Sequence, residues 1–180
     1  SASDWTLTAS GPSSFSGIGP SVSSGVNFSS GTYDLSESNG PDGYSASDWV
    51  CVGGTQDDGN TITLALGDVA TCTIQNDDIQ PSLTVVKTIV NNNGGTVTDP
   101  DAFGLKVDGV SVLHNASNAF DAGNHTVSED GLAGYQPGTW GGDCNPDGTI
   151  TLVLDQDATC TITNDDIHII DLIFSHGFES

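Results

Sequence analysis

The sequence predicts an all-β chain folded as two tandem β-sandwiches, and three observations carry that prediction. Thr, Val and Ile alternate through short runs, and no stretch keeps a 3.6-residue apolar period. Turn signals such as Asn39-Gly40-Pro41-Asp42-Gly43, Asn91-Asn92-Asn93-Gly94-Gly95 and Asn145-Pro146-Asp147-Gly148 separate these runs. The text also repeats. Residues 125–167 restate residues 33–79, each passing through a Ser-Glu, a Gly-Tyr, a Trp, a Cys, a Thr-Ile-Thr-Leu and a final Ala-Thr-Cys-Thr-Ile-x-Asn-Asp-Asp-Ile.

Taken in order, the first unit spans 1–80 and the second 81–167, joined at about Gln80-Pro81, with 168–180 as a C-terminal tail. Ser3-Asp4-Trp5 answers Asp101-Ala102-Phe103. Nothing before Ser1 answers the strand 83–90, so the first sandwich is expected to lack its own first strand. A sandwich without that strand exposes an unpaired edge and part of its core.

Strand alternation in 83–90 puts Leu83, Val85, Lys87 and Ile89 on one face and Thr84, Val86 and Thr88 on the other. Lys87 therefore points inward with the aliphatics, in a chain whose Lys and Arg total two. A buried, unpaired ammonium is costly, so this lysine is paired, neutral or consumed by chemistry. In 125–129, Val127 and Glu129 share a face; in 158–164, Ala158, Cys160, Ile162 and Asn164 do. Lys87, Glu129 and Asn164 are thus three polar groups aimed into one core. The other lysine, Lys106, lies opposite Leu105 and Val107 and is expected in solvent. In the first unit, Glu37 lies inward with Tyr33 and Leu35, and Asn76 with Cys72 and Ile74, but no lysine is available to them.

The cysteines fall at equivalent places in the repeats, Cys51 with Cys72 and Cys144 with Cys160. One pair per unit reads as two intradomain disulfides and an oxidising, extracytoplasmic compartment. The spacing is not Cys-x-x-Cys, and no histidine accompanies both pairs, which argues against zinc.

After the last domain strand, Ile167, Ile169, Asp171 and Ile173 fall where Leu83, Val85, Lys87 and Ile89 stand when the two stretches are laid together. The tail reads as a copy of the first strand with aspartate in the lysine place. About 13 residues extend at most roughly 45 Å, so the expected acceptor is the first unit of another copy. Repeated without closure, that contact builds an open filament of this chain.

A formal charge of −22 makes nucleic acid and anionic membrane poor partners, and no apolar run has the length of a membrane span. Asp-rich turns at Asp57-Asp58-Gly59-Asn60 and Asn145-Pro146-Asp147-Gly148, with Asp77-Asp78 and Asp165-Asp166, offer oxygens to calcium but match no EF-hand or nonapeptide pattern, so no cofactor is expected. Asn27, Asn115 and Asn124 sit in Asn-x-Ser/Thr sequons. No Ser/His/Asp set recurs in both repeats, which argues against an enzyme acting on a diffusible substrate.

The second repeat resembles the B-type, prealbumin-like domains of Gram-positive collagen adhesins and pilins. The resemblance rests on Lys87 in the first strand, His125-Thr126-Val127-Ser128-Glu129 followed by Gly134-Tyr135, and Thr163-Asn164 at the end. It covers nearly all of 81–167 and, less the first strand, 1–80. It implies an intramolecular isopeptide between Lys87 and Asn164, promoted by Glu129. A buried Lys87–Glu129 ion pair with Asn164 bonded beside it is the alternative. The cysteines depart from the Gram-positive pattern and resemble Gram-negative cell-surface repeats ending in Thr-Cys-Thr-Ile-x-Asn-Asp-Asp. The tail resembles those of secreted gammaproteobacterial proteins. A subunit of an extracellular filament is the function expected, with the stalk or ligand-binding module of a surface adhesin as the alternative.

Overall fold

The structure is a computed structural model describing residues 1–38 and 40–168. It is all-β, and its residues divide into two compact units, Ser1–Ile79 and Gln80 onward.

The first unit contains β1 (Thr6–Ser10), β2 (Phe15–Ile18), β3 (Gly31–Ser38), β4 (Tyr44–Ala46), β5 (Val50–Val52), β6 (Thr55–Gln56), β7 (Thr61–Leu64), β8 (Thr71–Thr73) and β9 (Asn76–Asp78). One sheet runs β2-β1-β3-β7-β6, and the opposite side consists of two ribbons, β4-β9 and β5-β8. Its core gathers Tyr33, Leu35, Trp49, Ile62 and Leu64, the inward halves of alternating strands.

The second unit contains β10 (Ser82–Val90), β11 (Leu105–Val107), β12 (Val110–Ser111), β13 (Ser117–Ala119), β14 (Gly123–Glu129), β15 (Tyr135–Pro137), β16 (Gly141–Gly142), β17 (Thr149–Leu152) and β18 (Asp157–Asp166). Here both layers are sheets: β12-β11-β14-β17 faces β13-β10-β18-β15, with β16 also on β18. β10 lies parallel to β18 along its whole length, pairing Ser82 with Asp157 and Val90 with Asp165. Leu83 and Val85 from β10 are fully buried among Leu105, Val107, Val127 and Leu152.

The two units share their internal register. Leu7 stands opposite Glu37 on β1 and β3, as Leu105 stands opposite Glu129 on β11 and β14. Tyr44 pairs with Asp78 on β4 and β9, as Tyr135 pairs with Asp166 on β15 and β18. The difference lies at one edge. Among the described residues, no strand of the first unit lies along β8 and β9 as β10 lies along β18.

Both disulfides form within units, Cys51–Cys72 across β5 and β8 and Cys144–Cys160 onto β18. The strands 83–90, 125–129 and 158–164 keep the expected alternation. Lys106 departs from its expectation: it is only partly exposed and forms an ion pair with Asp130. The turn leaving β14 carries Asp130 back alongside β11, a return that the alternation of β11 does not encode.

Candidate functional site

The site lies where β10, β14 and β18 bring their inward faces together. β10 delivers Lys87, 3% exposed, because Leu83 and Val85 anchor the same face in the core. β14 delivers Glu129 after Val127, and β18 delivers Asn164, which is fully buried. The parallel register sets Lys87 opposite Ile162 and Ile89 opposite Asn164, so lysine and asparagine lie one inward place apart on neighbouring strands.

One carboxylate holds both groups. Lys87 Nζ donates to Glu129 Oε2, and Asn164 Nδ2 donates to Glu129 Oε1 at 2.7 Å. The three residues read from sequence are therefore in one hydrogen-bonded group. Burial pulls the Lys87 ammonium below the ordinary lysine range, with Glu129 opposing that pull. Asn164 Oδ1 is buried with no hydrogen-bond partner, an unusual cost for a packed interior.

The sequence reading missed the residues that seat this group. The ring of Phe103 lies 4.2 Å from Lys87 Nζ, a cation–π contact that also walls the amine from solvent. Phe103 ends the 3-10 turn Pro100–Phe103, which closes on Gly104 at φ 64°; a Cβ there would lie 2.6 Å from Asp130 Oδ2. Tyr135 meets Phe103 edge-on with centroids 5.3 Å apart. The signal was present, since Asp101-Ala102-Phe103 answers Ser3-Asp4-Trp5, but sequence gives no distance from that repeat to the lysine. The Lys87 backbone N–H donates to His114 Nδ1 at 3.0 Å.

Asp166, at the end of β18, accepts backbone N–H groups from Asn92, Asn93 and Gly95 at 2.6–3.0 Å and fixes the loop leaving β10. Burial pushes its carboxyl up, but these donors outweigh it and hold it below the usual aspartate range. The other turn carboxylates are also engaged locally: Asp58 accepts from the Asn60 amide and Asp147 from Thr149. Among the described residues, no group of three or more His, Cys, Asp or Glu side chains is placed to hold a metal ion.

In the first unit, Asn76 Nδ2 donates to Glu37 Oε2 at 2.9 Å, repeating the Asn164–Glu129 bond without a lysine. Trp5 meets Tyr44 edge-on at 5.5 Å, repeating Phe103 and Tyr135. Along the open edge of β8 and β9 lie two cavities. One of 550 Å³ is lined by core residues including Tyr33, Leu35, Ile62, Leu64 and Cys72. The other, of 310 Å³, is lined by Trp5, Leu7, Glu37, Tyr44, Ile74 and Asn76 among others. Of the tail residues read as a donor strand, Ile169, Asp171 and Ile173 lie outside the described residues. Ile167 donates its N–H to Gly134 O at 2.9 Å within its own unit.

Comparison with known families matches the prealbumin-like fold domain over residues 1–74 and again over 78–162. No curated protein matches the chain. No helix among the described residues is long and apolar enough to cross a membrane. The chain belongs to the prealbumin-like fold domain family, with one such domain in each unit.

Proposed function

We propose that the chain is a structural subunit of an extracellular bacterial filament, assembled head-to-tail from copies of itself. The observation that carries this reading is the open edge of β8 and β9, with apolar core residues lining the cavity beside it. An unpaired sheet edge over an exposed core is what strand addition from another chain satisfies, through ladder hydrogen bonds and alternate side-chain pockets. The donor this chain offers is its tail, 167–174, with Asp171 in the lysine place. Ile167 itself is bonded to Gly134 within its own unit.

The second unit supplies mechanical strength. The Lys87 amine, in the neutral form that burial favours, attacks Cγ of Asn164. Glu129, bonded to both groups, polarises the asparagine carbonyl and carries the proton from the amine to the leaving nitrogen. The Nζ–Cγ bond forms, the Cγ–Nδ2 bond breaks, and ammonia departs. The orphaned Oδ1 supports this step: a half-turn of the carboxamide brings that oxygen to the Glu129 oxygen that now receives Nδ2. Disulfides in both units fit secretion through an oxidising compartment.

The stalk of a surface adhesin is the second reading, favoured by the repetition of one unit within the chain. Negative-stain images decide between them. Fibres from the purified chain, lost on deletion of 168–180, support tail donation. Isolated two-unit rods from the intact chain support the stalk, and fibres that survive the deletion rule out the tail as donor.

A further inference from the structure

The loop leaving β10 packs around one carboxylate. Asn92, Asn93 and Gly95 give their backbone N–H groups to Asp166 at 2.6–3.0 Å. Gly94 is the exception, and its N–H meets no partner among the described residues. Asn93 and Gly94 are both exposed, and a Cβ on Gly94, at φ 100°, would meet open space. The Asn93 carboxamide is held locally, its Nδ2 donating to the Asp166 carbonyl at 2.8 Å and to Asn92 Oδ1 at 2.6 Å. The same loop reaches the site. Tyr135 OH donates to Asn91 Oδ1 at 2.6 Å and accepts the Val97 N–H at 3.1 Å. Residues on both sides of Asn93 therefore position the ring that meets Phe103. Gly95 fits only because it has no side chain: a Cβ there would lie 2.6 Å from the Tyr135 hydroxyl.

We infer that Asn93–Gly94 is a self-modification site, at which the asparagine converts to aspartate and isoaspartate and releases the loop from Asp166. This goes beyond the filament reading and does not depend on it. A residue without Cβ lets its nitrogen approach the preceding carboxamide closely. Gly94 N attacks Cγ of Asn93, the N–Cγ bond forms, the Cγ–Nδ2 bond breaks, and the amide proton leaves with ammonia. The resulting succinimide takes up water, which opens it at either carbonyl to give aspartate or isoaspartate. Water is the only co-reactant, and the loss of ammonia makes the change one-way. The attacking amide is the one in 92–95 that Asp166 leaves unbonded, so no hydrogen bond of that nitrogen has to break. The product cannot hold the loop as asparagine does. A carboxylate has no N–H for the Asp166 carbonyl or for Asn92 Oδ1. It also stands beside the Asp166 carboxylate with the same charge, which is unfavourable. Isoaspartate adds a carbon to the main chain, which puts the Gly95 N–H out of step with Asp166.

The test ages the full chain in mildly alkaline H₂¹⁸O buffer beside a synthetic peptide of residues 89–98, followed by reduction and peptide mapping. The expected result is ¹⁸O-labelled aspartate and isoaspartate at position 93 of the chain, the isoaspartate confirmed by enzymatic methylation. Asn93→Gln is expected to slow conversion at that position at least tenfold. Hydrogen exchange at the Asn92 and Gly95 amides is expected to run at least tenfold faster in the aged chain and in Asn93→Asp, while the β17 amides stay protected. An unconverted Asn93 in the chain, with the peptide converted, overturns the proposal, because the folded loop then shields the bond. Conversion that leaves the Asn92 and Gly95 amides protected overturns the release of the loop. Unchanged exchange in Asn93→Asp overturns it too.

Discussion

Asn164 gives its Nδ2 to Glu129 at 2.7 Å while its Oδ1 stays buried without a partner. This half-satisfied carboxamide lies beside an amine bonded to the same carboxylate. A network serving stability alone gains by satisfying every buried polar atom.

The first prediction follows from that pair. Intact mass of the reduced chain is expected to be low by one ammonia, and Glu129→Ala is expected to restore the full mass. Glu129→Ala also strands Lys87 in the core, so unfolding of the second unit is expected to weaken by about 3–5 kcal/mol. A full mass in the unaltered chain leaves the ion pair as the correct description.

Redox chemistry supplies the second. Non-reducing peptide maps are expected to show Cys51–Cys72 and Cys144–Cys160 and no link between units. Cys144 and Cys160 are both buried, whereas Cys51 and Cys72 are only half-buried. Mild reductant is therefore expected to open Cys51–Cys72 first, removing about 3 kcal/mol from the first unit before the second changes. Simultaneous opening contradicts this.

A pH dependence is expected from His125, whose Nδ1 pairs with Asp108 at 2.7 Å and whose Nε2 meets the Asp121 carbonyl at 2.8 Å. Burial pulls this imidazole down, but the Asp108 carboxylate and the Asp121 carbonyl outweigh it, so its pKa lies above 6.5. A raised folded value means that protonation favours the folded state. The stabilisation is full below the unfolded pKa and is lost as pH rises through the folded one. Asp108 is lowered by the His125 bond, so its share is present above its unfolded value and lost as pH falls through its folded value. The second unit is therefore expected to melt higher at roughly pH 5.5 than at about pH 8.5, with Asp108→Asn flattening the difference. An unchanged slope in that variant assigns the effect to another group.

Asp166 carries the last prediction. Asp166→Ala removes the acceptor for the amides of Asn92, Asn93 and Gly95. Hydrogen exchange at these three amides is expected to accelerate strongly while the β17 amides stay protected. Protection unchanged at Asn92 and Asn93 shows that the loop is ordered without the carboxylate.

What could be read before folding was local. Alternation alone aimed Lys87, Glu129 and Asn164 inward, because a strand fixes the face of each residue from its neighbours. The repeat paired the cysteines, because equivalent positions in two copies of one fold have equivalent surroundings. It also matched Glu37 and Asn76 to Glu129 and Asn164. Other features required the tertiary structure. The parallel register of β10 on β18 relates residues more than 70 positions apart, such as Ser82 and Asp157, and no local pattern sets such a distance. Phe103 over the amine, the loop amides on Asp166 and the Lys106–Asp130 pair all depend on turns bringing separate strands together. The sequence determined which faces are apolar and which polar groups interrupt them. The packing of those faces decided that lysine and asparagine share one carboxylate in the second unit, and that the glutamate–asparagine bond recurs in the first.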